Sequence, residues 1–182
     1  MEFIATENPD VMRIKPQVFG DERGYFMETF RKELFSQAGI DGNFVQDNQS
    51  SSGLFTLRGL HYQVKHTQGK LMRVVRGEIF DVAVDLRKNS AYFGRWVGAY
   101  LSADNKEQLW VPPGFAHGFL TLSERADVIY KTTDYYDREN ERCIRWNDLD
   151  LAIDWPIPEN KQPIISEKDA AGVLFADAEV FE

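Results

Sequence analysis

One cysteine, Cys143, stands in the whole chain, so no intrachain disulfide can form and no cysteine-rich zinc module or iron–sulfur cluster can be built. Histidines number only three, His61, His66 and His117, which leaves few ways to assemble a histidine-based site. Positive charge is short as well: Lys and Arg total 21 against 29 Asp and Glu, a formal net charge of −8. General nucleic-acid binding needs a cationic field and is excluded on that ground. No apolar run approaches the ~20 residues of a transmembrane helix. The start, Met1-Glu2-Phe3-Ile4-Ala5-Thr6-Glu7, has neither the basic region nor the apolar stretch of a signal peptide. Membrane and secretory roles drop out, and a cytoplasmic location is expected.

What is abundant is aromatic: thirteen Phe, seven Tyr and four Trp, a bias toward strands. Apolar residues alternate or run on from Leu71 to Leu86, broken by Gly77-Glu78, which predicts two strands joined by a tight turn. Further strands are expected over Arg95–Leu101, Gln108–Val111, Phe115–Leu122 and Asp127–Tyr136. They are separated by Lys88-Asn89-Ser90, Ala103-Asp104-Asn105 and Pro112-Pro113-Gly114. Helices are few. Arg31–Ala38, ending at Gly39, gathers Leu34, Phe35 and Ala38 on one face, and Ser166-Glu167-Lys168-Asp169 has the spacing of a helix start. Without repeats or linker-like stretches, the 182 residues predict one all-β domain, a jelly-roll sandwich or barrel with a few short helices.

Two segments carry candidate chemistry. In Leu57-Arg58-Gly59-Leu60-His61-Tyr62-Gln63, strand periodicity puts His61 and Gln63 on one face with Arg58 close by. In Pro112-Pro113-Gly114-Phe115-Ala116-His117-Gly118, a Pro-Gly turn delivers His117 into the next strand. Taken singly, a strand histidine such as His61 is more often a packed core residue than a catalyst, and His117 is as readily a turn-stabilising residue as a functional one. Together, a His-x-polar strand, a Gly-flanked hairpin and Pro-x-Gly-x-x-His resemble the paired signature stretches of the cupin superfamily. Metal-binding cupins have a second His where Gln63 stands and a Glu in the region of Gln68-Gly69-Lys70. With Lys70 there, too few ligands remain and an ammonium would repel a cation, so no metal is expected.

The resemblance narrows further along the chain. Asp21-Glu22-Arg23-Gly24-Tyr25-Phe26 with Glu28, Gln46-Asp47-Asn48-Gln49-Ser50, the His61 segment, Gln68-Gly69-Lys70 and Phe80–Arg87 occur in the same order as in dTDP-4-dehydrorhamnose 3,5-epimerases. So do Trp110–Phe119, Tyr130–Tyr136, Trp146-Asn147-Asp148, Trp155-Pro156 and Ser166–Ala170, so that the likeness runs from about residue 3 to about residue 175. Departures at Ala91-Tyr92 and Arg142 touch loop geometry only.

The resemblance implies a cupin-type jelly roll with residues 160–182 packing on the barrel. It also implies epimerisation at C3 and C5 of a dTDP-4-keto-6-deoxyhexose through a C4 enolate. A relative inverting only one of the two carbons remains the alternative. It implies His61 as base, held by Asp169, with Tyr130 as acid and Lys70 at the enolate oxygen. Arg23, Glu28, Gln46, Asp47, Asn48, Arg58, Lys70, His117, Tyr136, Glu141 and Lys168 are implied to bind the nucleotide sugar, Tyr136 by stacking on the base. No cofactor is expected, and no G-x-G-x-x-G follows a strand. A homodimer is implied too, its N-terminal segments crossing so that Arg23 and Glu28 complete the neighbour's site.

Overall fold

Residue alternation along the chain sorts side chains between three apolar layers, and the strands follow from that sorting. The computed structural model describes residues 1–182. Its strands are β1 (Glu2–Ala5), β2 (Met12–Lys15), β3 (Val18–Asp21), β4 (Gly24–Met27), β5 (Gln46–Gly53), β6 (Leu57–Gln63) and β7 (Lys70–Arg76). They continue with β8 (Glu78–Asp85), β9 (Trp96–Ser102), β10 (Gln108–Val111), β11 (Phe115–Thr121), β12 (Arg125–Thr132) and β13 (Glu141–Cys143). Two short helices, α1 (Lys32–Gln37) and α2 (Glu167–Ala170), and one 3₁₀ turn complete the list.

A six-stranded sheet has the order β1-β2-β10-β7-β12-β5, a five-stranded sheet the order β13-β6-β11-β8-β9, and β3-β4 form a separate hairpin. Every ladder is antiparallel. The expected all-β jelly roll with few helices is what forms.

Between the sheets lies one core, with Met72, Val74, Ile79, Ala83, Leu109, Phe115, Phe119 and Val128 among its members. The outer face of the five-stranded sheet carries a second, including Leu60, Phe80, Val82, Val84, Leu120 and Trp155, with Ile165, Phe175 and Phe181 packed over it. That double burial explains why β8 and β11 read as nearly unbroken apolar runs. A third core on the outer face of the other sheet joins Leu71 and Trp110 to Phe35 and Ile40. The C-terminal stretch is tied down by isolated parallel bridges, Thr56 to Ile164, Ile144 to Val173 and Arg87 to Phe181.

The predicted pair of strands within Leu71–Leu86 is present but is not a hairpin. β7 pairs with β10 and β12, while β8 pairs with β9 and β11, so Gly77 is a corner at which the chain changes sheets. Alternation reports a strand and its faces but not its partner. Gly77 sits at φ +74°, and a Cβ there would lie 2.1 Å from the Arg125 carbonyl oxygen. β12 also ends earlier than expected, at Thr132, whose hydroxyl donates to the Asp134 carbonyl and turns the chain. α1 matches the expected helix to within one residue at each end, with Gly39 left-handed beyond it.

β5 had no strand signal, because QDNQSSSG contains no apolar alternation. It pairs with β12 along all eight residues, and its half-buried positions Gln46, Asn48 and Ser50 alternate with exposed ones. Its inward face is polar and half buried, and Ser50 on it borders a cavity.

Candidate active site

Where the sheets part, a cavity of about 190 Å³ opens. The five-stranded sheet contributes Arg58, His61, Gln63, His117 and Glu141; the facing sheet contributes Ser50, Lys70, Met72 and Tyr130. Tyr136 lines it from the loop after β12. His61 and His117 are directly opposed in the β6–β11 ladder. A close approach makes this possible: Gly59, at φ +125°, leaves so little room that a Cβ would lie 2.5 Å from the Cα of Gly118.

His61 is oriented from behind. Its Nε2 lies 2.5 Å from Oδ1 of Asp169, the last but one residue of α2. Ser166 caps that helix, accepting from the Asp169 amide and donating to its Oδ2 at 2.8 Å. Burial alone would raise the Asp169 carboxyl, yet the bonds from His61 and Ser166 hold it below its ordinary value, so it is an anion. An anionic acceptor requires Nε2 to carry the proton, which leaves the Nδ1 lone pair free. This is the arrangement of an oriented base.

Lys70 is buried, its Nζ donating to the His61 carbonyl at 3.3 Å. Burial pushes it down to about 8, while Glu141 and Asp81 favour its charged form. Asp81 also accepts from His117 Nε2 at 2.8 Å, forming a second, fully buried His–carboxylate pair. Tyr130 is raised by burial, against the pull of Arg58, and so remains a protonated phenol at neutral pH. At the mouth, Tyr136 donates to Glu141 at 2.7 Å, and Glu141 is paired with Lys168. Burial would raise Glu141, but these two partners bring it below the ordinary value.

The residues named from the sequence therefore divide. His61, Lys70, Tyr130, Arg58, His117, Tyr136 and Glu141 line one cavity, with Asp169 and Lys168 bonded to members of it. Gln46 and Asn48 are hydrogen-bonded to each other on β5, and Gln46 Oε1 accepts from the Tyr136 amide. Asp47 lies on the other face of β5, paired with Lys131 at 2.9 Å. Arg23 and Glu28 lie outside the cavity of their own chain, on and just after the β3–β4 hairpin, where they pair with Asp21 and Arg31.

Two contributors, Gln63 and Asp81, and one bystander, Cys143, had no role assigned from sequence. Gln63 is buried; its amide donates to the carbonyls of His66 (2.7 Å) and Tyr135 (3.1 Å) and accepts from the Asp137 amide (2.9 Å). It thus fixes the loop that bears Tyr136. Asp81 was detectable as a lone carboxylate inside an apolar strand. Cys143 lies opposite His61 in the β6–β13 ladder, near Asp169. Its thiol is pushed up to about 12 by burial and by the Asp169 charge. As they stand, His61, Asp169 and Cys143 are a hydrogen-bonded pair with a neutral thiol beside it.

The sequence profile described as dTDP-4-dehydrorhamnose 3,5-epimerase matches residues 5–177. The chain is similar to the dTDP-4-dehydrorhamnose 3,5-epimerase of Pseudomonas aeruginosa, 56% identical over 174 residues and 95% of each chain. Among solved structures it resembles the 3,5-epimerase of Legionella pneumophila in complex with dTDP-4-keto-L-rhamnose: 50% identity, 98% of this chain and 94% of that one, TM-score 0.94. A 3′-monoepimerase from Streptomyces bikiniensis in complex with dTDP-quinovose is more distant, at 31% identity and TM-score 0.88 over 95% of this chain and 87% of that one.

Proposed function

The chain belongs to the dTDP-4-dehydrorhamnose 3,5-epimerase family and catalyses that family's reaction, and we propose that His61, Lys70 and Tyr130 divide the chemistry among them. The substrate, dTDP-4-dehydro-6-deoxy-D-glucose, becomes dTDP-4-dehydro-L-rhamnose by inversion at C3 and C5. Both carbons flank the C4 ketone, so the proton on either is acidic in proportion to how well the C4 oxygen bears the enolate charge. Nothing is oxidised or reduced over the cycle: a proton leaves one face and another returns to the opposite face.

Each requirement has a candidate group. Nδ1 of His61 removes the proton, and Asp169 stabilises the imidazolium that results. The Lys70 ammonium, buried and therefore strongly felt, stabilises the enolate oxygen, while His117, its Nε2–H donated to Asp81, lines the same cavity as part of the substrate-binding wall. Tyr130, on the facing sheet, returns the proton from the other side. The observation that carries this reading is the 2.5 Å His61–Asp169 bond opening onto a cavity shared with Lys70 and Tyr130.

Substrate binding follows the same lines. Arg58 and Lys168 suit the pyrophosphate oxygens, and an acidic protein gains most from concentrating its cations there. Tyr136, half exposed at the mouth, suits stacking on thymine, with Gln46 and Glu141 hydrogen-bonded to it and Asn48 bonded to Gln46, whereas Asp47 faces away from it on β5. Arg23 and Glu28 join the site of a partner subunit in a homodimer. Support comes from the β3–β4 hairpin, which pairs only with itself and exposes Phe19, Tyr25 and Phe26, the last to 72%. The 160–182 segment is part of the same single domain, bridged to both ends of the barrel. No helix is long and apolar enough to cross a membrane; a cytoplasmic location completes the proposal.

The test is proton NMR of the ketosugar in D₂O with native enzyme and with His61→Ala. Deuterium should enter at both C3 and C5 with the native enzyme and at neither with the variant. Substantial exchange by His61→Ala removes His61 as the base, and exchange at one carbon alone indicates a monoepimerase.

A further inference from the structure

Three ligand types favoured by soft divalent cations meet behind the catalytic imidazole. Cys143 and His61 are directly opposed on neighbouring strands, so their side chains leave the same face of the sheet, and α2 brings Asp169 to them. Asp169 Oδ1 is 2.5 Å from His61 Nε2 and 4.0 Å from Cys143 Sγ, and the three atoms lie within 4.8 Å of one another. No other trio of His, Cys, Asp or Glu side chains in the chain converges in this way.

We propose that His61, Cys143 and Asp169 form a latent, inhibitory site for a soft divalent cation of the Zn²⁺ or Cd²⁺ class. The inhibitory effect rests on His61 being the base. Tetrahedral zinc, with bonds of about 2.0 Å to nitrogen and oxygen and about 2.3 Å to sulfur, sets its ligands about 3.3–3.6 Å apart. The imidazole–carboxylate separation must open by about 0.8 Å, the thiol–carboxylate separation close by about 0.5 Å and the imidazole–thiol separation, at most 4.8 Å, close by at most about 1.3 Å, movements within the reach of side-chain rotation. His61 retains 27% side-chain exposure and Cys143 is half-buried, so the trio is not sealed from solvent, and a water can take the fourth position.

The exchange of protons is simple. The ion takes Nε2, whose proton relocates to Nδ1, and Cys143 releases its proton to solvent on becoming a thiolate ligand. One proton is released per ion bound, and no electron moves. An imidazole metallated at Nε2 and protonated at Nδ1 has no lone pair left to accept a proton from carbon. Thiolate and imidazole select against hard cations, so Mg²⁺ should leave the enzyme unaffected.

The experiment titrates metal-free native enzyme with Zn²⁺ while following epimerisation, and with Cd²⁺ while following the ultraviolet thiolate-to-cadmium absorption. Zinc should inhibit at one ion per chain, Mg²⁺ at the same concentration should not, and cadmium should produce the band. Cys143→Ser should turn over at the native rate, lose the band and need at least about tenfold more zinc for half-inhibition. Absence of the cadmium band, or equal zinc sensitivity in Cys143→Ser, overturns the proposal and leaves the role of His61 untouched. A full band with undiminished turnover overturns the inhibitory role and also counts against His61 as the base.

Discussion

Replacing Lys70 by Met should make this protein more stable and nearly inactive. The ammonium is buried, and its proton affinity falls from the ordinary 10.5 to about 8, which corresponds to about 3 kcal/mol against the charged form in the fold. Methionine fills a similar volume without the charge. It forfeits one long hydrogen bond, 3.3 Å to the His61 carbonyl, worth about 1 kcal/mol. The net expectation at pH 7 is a gain of about 2 kcal/mol, or about 4–8 °C in Tm for a chain of this length.

The pH dependence distinguishes this cause from ordinary repacking. Below about 8 both folded and unfolded chains hold the proton, and the penalty on the native protein stands in full. Between about 8 and 10.5 the unfolded chain binds the proton and the folded chain does not, so native stability rises with pH. Above 10.5 the penalty is gone. Urea denaturation of native and Lys70→Met proteins at pH 7 and pH 10 therefore measures a gap that narrows at the higher pH; other titrating groups are common to both and cancel. Turnover, meanwhile, should fall by roughly 10²–10³ for want of the charge at the enolate oxygen. A Lys70→Met protein less stable than native at pH 7, or a gap unchanged at pH 10, refutes the argument.

Three further outcomes follow from the same geometry. In the native enzyme kcat/KM should decline as pH rises through about 8, roughly tenfold per pH unit beyond it, and Lys70→Arg should lose that limb; its persistence assigns the limb to another group. Tyr130→Phe should reduce inversion by roughly 10²-fold while deuterium wash-in at the abstracted carbon falls less, and an equal fall in both removes Tyr130 as the acid. Gln63→Leu frees three backbone groups around Tyr136, so KM should rise roughly tenfold with kcat within about twofold, a split that steady-state kinetics on the ketosugar measures directly.

How much of this was readable in advance depended on whether the signal was local. β8 and β11 announce themselves because both faces of their sheet are covered, and α2 because Ser166 stands three residues before Asp169. β5 could not, since its inward side chains are polar and only half buried, and polar residues carry no period that distinguishes strand from loop. Gly77 showed where a strand ends without showing that the chain there changes sheets; that depends on partners 35 to 62 residues away. His61, the proposed base, was nameable, but its hydrogen-bond partner Asp169 lies 108 residues on, and only the resemblance linked the two. The grip of Gln63 on three backbone groups lies between segments whose sequences do not mention each other.

The placement of the proposed base and acid on opposing sheets makes the width of the sandwich a chemical variable. His61 stands on one jaw and Tyr130 on the other, and Met72 and Phe119 both line the cavity and belong to the core that holds the jaws apart. Antiparallel sheets in face-to-face packing stand about 10 Å apart, enough for one sugar ring between two side chains and little more. A methylene added to or taken from that spacer layer changes the clearance between His61 and Tyr130 in which the sugar ring is held. Packing in this enzyme is thus a caliper, and its setting bears on whether one stereocentre or two are rewritten before the product leaves.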